Sequence, residues 1–334
     1  MSEIVQRTQL RKAGTITYAA GGTERKRIEI SGKVRRIVLD LSATLNVTGA
    51  GGTVITHQPL SLIRNINVWA NETVLLKTGR GIDFRHRAQV FSKVNTEQVA
   101  AAGVASYPIR AKLPLYFVPP RIIGSRFPVD SVLDLEPLNG GFKTLEIEIQ
   151  WGDESNLLAG GTKAFTTNPS IDVLVDIDRW AKPPSFLYKE LATEKPVLAA
   201  ANTALEVPLL VEGKREYHHL IIAAEDQVAT SGRALVSTAL NQIELKQNKG
   251  GSESNIVGPM SGHQLQHEYD ELFTPPGGII TGLYPLVFQG RYDGMVNYNL
   301  SADGVNALWF LLNHDAFATS GYIRVLQGTF ERIR

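Results

Sequence analysis

Apolar and polar residues alternate along several short segments of the chain, and this pattern predicts β-strands. In residues 144–151, Leu145, Ile147 and Ile149 fall on one face together with Trp151, whereas glutamate and glutamine occupy the other face. Successive side chains of a strand point to opposite faces, so the segment is typical of a half-buried antiparallel strand. Five further segments are rich in Val, Ile, Leu and aromatic residues: 36–41, 63–69, 171–177, 217–223 and 323–330. Glycine and proline turn signals separate these segments, which predicts a mainly β protein of the sandwich or barrel type.

Two short segments show helical spacing instead of alternation. Residues 82–94 and 261–273 each place apolar side chains at helical intervals, which lines one face of a helix. The positions are Phe84, Ala88 and Phe91 in the first segment and Leu265, Tyr269 and Leu272 in the second. The sequence therefore predicts short helices among the strands.

Landmarks of the first half of the chain recur in the same order in the second half. One example is Gly32-Lys33, which precedes an apolar strand just as Gly213-Lys214 precedes another. The matched segments are 32–33 with 213–214, 62–73 with 239–250, position 84 with 265, 113–117 with 284–288, 144–151 with 307–314, and 171–177 with 322–328. A period this long indicates a duplicated domain, since solenoid repeats have periods of about 20–50 residues.

We therefore predict two consecutive eight-stranded jelly-roll β-barrels, a double jelly roll, with short helices. The chain has 334 residues, more than one hydrophobic core usually fills. Each half contains about eight candidate strands, as a jelly roll does. Pro183 and Pro184 end a strand, which indicates a boundary near them. The predicted division is a basic N-terminal arm at 1–14, a first jelly roll at 15–180, a linker at 181–196 and a second jelly roll at 197–334.

The amino-acid composition excludes cysteine-based sites and argues against nucleic-acid and membrane-spanning roles. The chain has no cysteine, which excludes disulfides, thiolate catalysis and cysteine-ligated zinc. Its formal net charge of +1 gives no support for a specific nucleic-acid partner. No apolar run approaches the roughly 18 residues of a membrane span, and the N-terminus has no secretory pattern. We expect a soluble protein that stays inside the producing cell or is released by lysis.

Two neighbouring histidines, His218 and His219, are followed by Glu225 and Asp226, a combination that suggests metal ligands. The two histidines lie within a predicted strand, however, and successive side chains of a strand point to opposite faces. We therefore expect one histidine to face the core or an interface and the other to lie on the surface. Both could not then bind the same metal ion.

A second histidine pair lies in the predicted helix at 261–273. Helical spacing would place His263 and His267 on one face, which is the geometry of two zinc ligands, but no third ligand is evident. The chain also lacks an HxH pair of the cupin type, a GxSxG nucleophile elbow and the Lys-Ser/Thr ending of a phosphate loop. We predict no catalytic residue, no cofactor and no metal, although the many carboxylates leave a glycosidase pair open.

Basic residues near the N-terminus are the one charge asymmetry of the chain. Arg7, Arg11 and Lys12 are followed by the basic run at 25–27. One interpretation is a solvated, partly disordered arm that folding does not need. The other is an arm that faces an anionic surface, either membrane lipid headgroups or a packaged genome.

The order of these landmarks resembles the double jelly-roll major capsid proteins of tailless icosahedral bacteriophages, in the lineage of membrane-containing phages and adenovirus. The resemblance covers about residues 15–334. It is carried by the Gly-Lys that leads into an apolar strand, the INVWANET and IELKQNKG strands, the helix before a long loop, and the LPLYF and YPLVF strands. The pattern as a whole carries the resemblance, since no single motif is diagnostic.

The resemblance implies a structural protein that is not an enzyme. It implies a homotrimer whose six jelly rolls form a pseudo-hexagonal capsomer, and capsomers that tile an icosahedral shell. The implied partners are neighbouring capsomers, minor capsid or penton proteins and, through the N-terminal arm, internal membrane lipid. The protein would be assembled in the host cytoplasm and would reside in the virion.

Two alternatives from other classes remain open at this stage. One is a carbohydrate-active or glycan amidase enzyme built on two jelly rolls, which should gather carboxylates and aromatic residues in one cleft. The other is a phage spike or receptor-binding protein, which should be elongated and trimeric without lattice contacts.

Overall fold

The computed structural model describes residues 8–91, 97–117, 132–137, 141–178, 184, 186–211, 215–228, 232–236, 240–273, 280–288, 300–301 and 304–332. The strands of the first half are β1 (Thr8–Thr17), β2 (Thr23–Ile28), β3 (Lys33–Val47), β4 (Thr53–Val54), β5 (Ile63–Ala70), β6 (Val74–Gly79), β7 (Ala105–Tyr116), β8 (Leu133–Asp134), β9 (Leu145–Trp151), β10 (Leu158–Ala159) and β11 (Lys163–Asp178). Those of the second half are β12 (Phe186–Val197), β13 (Asn202–Pro208), β14 (Arg215–Val228), β15 (Gly232–Leu235), β16 (Leu240–Lys249), β17 (Ser252–Met260), β18 (Leu283–Val287), β19 (Leu300–Ser301), β20 (Val305–His314) and β21 (Gly321–Arg332). The helices are α1 (Gly81–Phe91) and α2 (Gly262–Phe273), and among the described residues neither is long and apolar enough to cross a membrane.

The two halves have the same sheet topology. In the first half, one sheet has the order β1-β11-β3-β7, and the other contains β2-β9-β5-β6. In the second half, β12, β21, β14 and β18 form the first sheet, and β13-β20-β16-β17 the second. Each helix follows the fifth of the eight main strands of its half and precedes the sixth, and five of the six landmark matches fall on equivalent elements. The remaining match involves 213–214, which lie outside the described residues. The duplication is therefore confirmed, and each half is a jelly-roll sandwich built on two sets of four strands. The short strands β8, β15 and β19 pair in addition with β3 or β14.

The alternating segment at 145–151 forms β9, as its pattern predicts. The side chains of Leu145, Ile147, Ile149 and Trp151 are fully buried, whereas Gln150 on the opposite face is exposed. They belong to a hydrophobic core confined to the first half apart from one residue of β12, and a second core fills the other half. Each fully buried aliphatic side chain contributes about 1.5–3 kcal/mol relative to exposure, so each half carries its own stabilising core.

One ten-stranded sheet runs through both halves. It is continuous because β6 of the first half pairs in parallel with β12 of the second, through a single residue pair, Lys77 and Glu190. The described strands form open sandwiches joined edge to edge, so the prediction of closed barrels is corrected in this respect. The double jelly roll itself is present.

Two segments that the sequence analysis treated as irregular contain strands. The predicted arm at 1–14 overlaps β1, which pairs with β11 from Thr8 opposite Asp178 to Thr17 opposite Ser170. Its basic residues are accommodated because β1 lies at a sheet edge, with one face in water. The predicted linker at 181–196 overlaps β12, which pairs with β21 along its whole length. Lys189 and Glu190 hide the strand pattern of β12, because they are charged yet buried against partners on other strands.

Candidate functional site

Many buried polar and charged side chains of the described residues lie at the contact between the two jelly rolls. At its centre, Lys77 Nζ lies 2.8 Å from Glu190 Oε2, and both side chains are almost completely buried. Lys77 also donates to the Tyr116 carbonyl and lies over the rings of Phe117 and Tyr188, at 4.8 Å and 5.1 Å from their centroids. Burial lowers the pKa of Lys77, and Glu190 opposes this shift. The ion pair thus compensates two charges at the one point where the halves share a sheet.

A second group of charges lies beside α1 and forms a closed ring of ion pairs. It has six members that alternate between arginine and carboxylate: Arg80, Asp83, Arg324, Glu194, Arg233 and Glu225. We call this group the ion-pair ring. Two of its members come from the first jelly roll and four from the second, so the ring spans the boundary between the halves.

The ring crosses that boundary twice. Arg324 Nε donates to Asp83 Oδ1 at 3.0 Å, and Arg324 Nη2 donates to the other carboxylate oxygen. Arg80 Nη2 donates to Glu225 Oε1 at 2.6 Å and also contacts Asp83 Oδ1 at 3.2 Å. Planar guanidinium groups suit such two-pronged contacts with carboxylates, so these bonds fix how the second half is oriented on the first.

The remaining members close the ring within the second jelly roll. Glu194 accepts hydrogen bonds from Arg324 and from Arg233, whose Nη2 lies 3.3 Å from Glu194 Oε1. Arg233 reaches back to Glu225 Oε2 at 3.8 Å and stacks over the Tyr322 ring at 3.5 Å from its centroid. Every carboxylate of the ring is thereby shared by two arginines.

The arginines of the ring favour the ionised form of two of its carboxylates, those of Asp83 and Glu194. Burial alone would raise the pKa of Asp83, but Arg80, Arg324 and the backbone N–H of Arg80 outweigh it and lower the pKa far below its ordinary value. Burial likewise opposes ionisation of Glu194, and its hydrogen bonds and charge contacts with Arg233 and Arg324 lower the pKa of that carboxyl. Asp83 and Glu194 are therefore charged at neutral pH, because their arginine partners outweigh the effect of burial.

His218 and His219 both point into the contact between the halves, contrary to the expectation that they lie on opposite faces. The β14–β21 pairing has a bulge between Tyr217 and His219, which turns two successive side chains to the same side. The two Nδ1 atoms lie 2.8 Å apart, and both side chains are fully buried. Gly328 makes this possible, because a Cβ at that position would lie 2.2 Å from His219 Cε1.

Two further histidines, His57 and His86, are also packed near this contact, with ring centroids 5.5 Å apart. Burial lowers the pKa of His57 to about 4 and that of His218 to about 3, with Arg80 and Arg85 adding to the shift at His57. Burial also lowers the pKa of His86 and of His219 well below the ordinary value. All four imidazoles are therefore neutral at pH 7.

The basic residues singled out in the sequence lie away from this contact. Arg11 and Lys12 are both exposed on β1, and Lys12 Nζ forms an ion pair with Asp172 at 2.7 Å. Arg7 lies outside the described residues. The expected role of these residues at an anionic surface stays a prediction.

The structure adds no metal ligands to the second pair of histidines. The rings of His263 and His267 are 6.5 Å apart on α2. His314 lies elsewhere, with its Nδ1 2.7 Å from the Asp315 carbonyl oxygen and its ring against Phe317. No group of three or more His, Asp or Glu side chains among the described residues is placed to hold a metal ion.

The sequence did not reveal the ion-pair ring. Its members are spread from Arg80 to Arg324, and all except Glu225, which the sequence suggested as a metal ligand, look like ordinary surface charges in their local sequence. One feature of the sequence could have indicated buried charges here. Glu190 and Glu194 lie in a segment that looks charged around Lys189–Leu191, yet this segment occupies the place where the second jelly roll requires its first strand.

Comparison with known proteins rests on structure alone. No protein family model matches the chain, and no curated protein matches its sequence. A chain of the Sulfolobus turreted icosahedral virus is similar over 97% of this chain and 91% of that one, with a TM-score of 0.69 and 15% identity. The major capsid protein P2 of bacteriophage PM2 is similar over 98% of this chain and 98% of its own, with a TM-score of 0.61 and 13% identity.

A third similar structure is the capsid of PBCV-1 virus, which has a TM-score of 0.60 and 12% identity, with 97% of this chain and 94% of that chain covered. The similarity extends over both jelly rolls in each case. At these identities the likeness establishes the fold. The chain therefore has the double jelly-roll fold found in viral major capsid proteins.

Proposed function

We propose that this chain is the major capsid protein of a tailless icosahedral virus, a bacteriophage in our hypothesis. The observation that carries the proposal is the nearly complete, two-domain likeness to virion proteins, which covers 97–98% of this chain in the three structures above. Function can differ between proteins of one fold. A match to both halves at once, including the order in which they are joined, is a much narrower similarity than one shared jelly roll.

The proposed working unit is a homotrimer whose six jelly rolls form a pseudo-hexagonal capsomer. The support is internal: two sandwiches of equal topology lie side by side and are locked by Lys77–Glu190 and by the ion-pair ring. A unit with two similar, rigidly joined halves becomes nearly six-sided when three copies surround an axis. Neighbouring capsomers and minor capsid or penton proteins would then contact its outer edges, and the protein would reside in the virion after assembly in the host cytoplasm.

Within this proposal the chain divides into an N-terminal segment, two jelly rolls and a short connection near Pro183 and Pro184. Arg7, Arg11 and Lys12 would face the inside of the shell and contact internal membrane lipid or packaged genome. This role is supported by the exposure of Arg11 and Lys12 to solvent on an edge strand. The role is structural and not catalytic, in keeping with the virion proteins that share the fold.

Negative-stain electron microscopy of the purified full-length chain tests this proposal. We expect compact particles with three-fold symmetry and a nearly hexagonal outline, and flat arrays of them at high protein concentration. Elongated trimers that never form arrays would favour a spike protein instead. Single chains that cleave glycans in a hydrolysis assay would favour the enzyme alternative.

A further inference from the structure

A cleft of about 530 Å³ opens between the two jelly rolls, over the outer side of the ion-pair ring. One wall comes from the first jelly roll, at the start of β5 and α1, and the other from β12, β21 and the region of β14 and β15. Its volume lies in the range of about 300–1,000 Å³ typical of ligand sites. The proposed capsid role assigns no ligand to it.

The charges on the cleft wall are unbalanced. Four guanidinium groups line it, those of Arg64, Arg80, Arg233 and Arg324, together with a single carboxylate, that of Glu194. The imbalance arises because the ion-pair ring turns its arginines towards the cleft and two of its three carboxylates away from it. The lining therefore holds more guanidinium groups than carboxylates, and Arg64 is the one whose charge the ring does not compensate.

The two carboxylates behind the wall are shielded from solvent. The side chains of Asp83 and Glu225 are both 0% exposed, whereas those of Arg80 and Arg233 are 19% and 26% exposed. Arg64 lies outside the ring and is exposed, and its Nη2 donates to Asn156 Oδ1 at 3.3 Å. A guanidinium has five N–H donors, so Arg64 has donors beyond the one that pairs with Asn156.

The rest of the lining suits a polypeptide better than a small ion. The amides of Asn65, Gln150 and Gln227 line the cleft and can pair with the N–H and C=O groups of a peptide backbone. Apolar contact comes from neighbouring isoleucine and leucine side chains. His57 also lines it, and its buried Nε2 has no hydrogen-bond partner among the described residues.

We propose that this cleft binds an acidic segment of another polypeptide, with a carboxylate of that segment bound by Arg64 and the exposed edge of Arg80 and Arg233. The recognition is a charge-assisted contact between carboxylate and guanidinium, with side-chain amides holding the adjacent backbone. This inference does not depend on the capsid role, because binding is measured on the purified full-length protein whatever its assembly state.

The test is fluorescence anisotropy with a short labelled peptide rich in glutamate. A peptide of the same sequence with glutamine in place of glutamate is the matched ligand control. We expect the glutamate peptide to bind about tenfold more tightly than the glutamine peptide at low salt, and the difference to shrink as salt screens the charges. Equal binding of the two peptides would overturn the proposal.

Two variants locate the binding in the cleft without breaking the ion-pair ring. Arg64→Gln removes one guanidinium, and Gln150→Glu adds a carboxylate to the wall; each should weaken binding about five- to tenfold. The control is Arg27→Gln, which removes an exposed arginine of β2 that does not line the cleft and should leave affinity unchanged. Melting temperatures measured in parallel should show that all three variants keep the fold.

The possible outcomes distinguish a polypeptide bound in the cleft from general surface attraction and from free oxyanions. Equal affinity losses in Arg64→Gln and Arg27→Gln would show general surface attraction and overturn the assignment to the cleft. Inorganic phosphate that displaces the peptide at concentrations matching the peptide's own affinity would assign the cleft to free oxyanions and overturn a polypeptide ligand. Retention of the peptide in excess phosphate supports the proposal.

Discussion

Arg324 and Asp83 lie 241 residues apart in the chain, yet their side chains form a buried ion pair with two hydrogen bonds. The pair joins β21 of the second jelly roll to the first turn of α1 in the first. It is part of a ring in which every carboxylate is shared by two arginines. The two halves of the molecule are thus held by compensated charges as well as by one shared sheet.

Replacing Asp83 with asparagine should destabilise the protein strongly. The change leaves Arg80 and Arg324 buried without their carboxylate, and breaking a buried pair in this way costs about 3–5 kcal/mol. Equilibrium unfolding in urea measures the loss. The matched control is Asp172→Asn at the exposed Lys12–Asp172 pair, where a loss below about 1 kcal/mol is expected. Equal losses at the two sites would contradict the account of the ring.

Stability should fall as pH decreases below about 6.5. The folded protein lowers the pKa of His57 to about 4 and of His218 to about 3, and holds His86 and His219 neutral as well. The unfolded chain therefore binds more protons below pH 6.5, and each such histidine removes up to about 1.4 kcal/mol per pH unit until its folded pKa is reached. The stability that the neutral, buried histidines contribute is fully present above pH 6.5 and is lost progressively as the pH falls through 5.

Urea unfolding between pH 5 and 7.5 measures this dependence. The variant His218→Phe keeps an aromatic ring among Phe91, Tyr188 and Phe330 but removes one titrating group. Its slope of stability against pH should be shallower than that of the wild type, whatever its stability at pH 7. An unchanged slope would show that His218 is not buried as a neutral group.

Gly328→Ala should destabilise the protein by about 1–3 kcal/mol, because the added methyl group collides with the His219 ring. The three atoms nearest to that methyl group all belong to His219, so the double variant with His219→Ala should recover part of the loss. Thermal melting of the two single variants and the double variant gives the coupling between the sites. Additive effects of the two changes would mean that the bulge does not bring His219 against Gly328.

Ile147→Ala should cost about 2–5 kcal/mol, since Ile147 is fully buried in the middle of β9, and Ile147→Asp should prevent folding of the first half. The control is Gln150→Ala on the exposed face of the same strand, where a change within about 0.5 kcal/mol is expected. Normal solubility and melting of Ile147→Asp would refute the strand assignment.

Two N-terminal truncations separate folding from assembly. Removing residues 1–7 leaves every cross-strand pair of β1 in place, so melting should be unchanged while particle yield falls if basic Arg7 contacts the interior. Removing residues 1–17 deletes β1 and should lower the melting temperature clearly. Wild-type particle yield from the shorter truncation would contradict the interior role of Arg7, and wild-type melting of the longer one would contradict the pairing of β1 with β11.

The sequence predicted those elements whose pattern is local. Alternation identified β9, and the repeated order of landmarks predicted the duplicated jelly roll. Both predictions were possible because the apolar residues that a strand buries form a pattern within its own sequence. β12 was missed because Lys189 and Glu190 are buried by partners on other elements, so their charges made a strand look like a linker. The shared direction of His218 and His219 was missed because a bulge depends on register against β21, which no local pattern specifies.

The proposed trimeric capsid role is tested most directly by the native mass of the protein, measured by light scattering after size-exclusion chromatography. One chain has a mass of 36.6 kDa, so the account predicts a particle of about 110 kDa or much larger assemblies built from it. A single species with the mass of one chain, at concentrations where capsid proteins assemble, would contradict it.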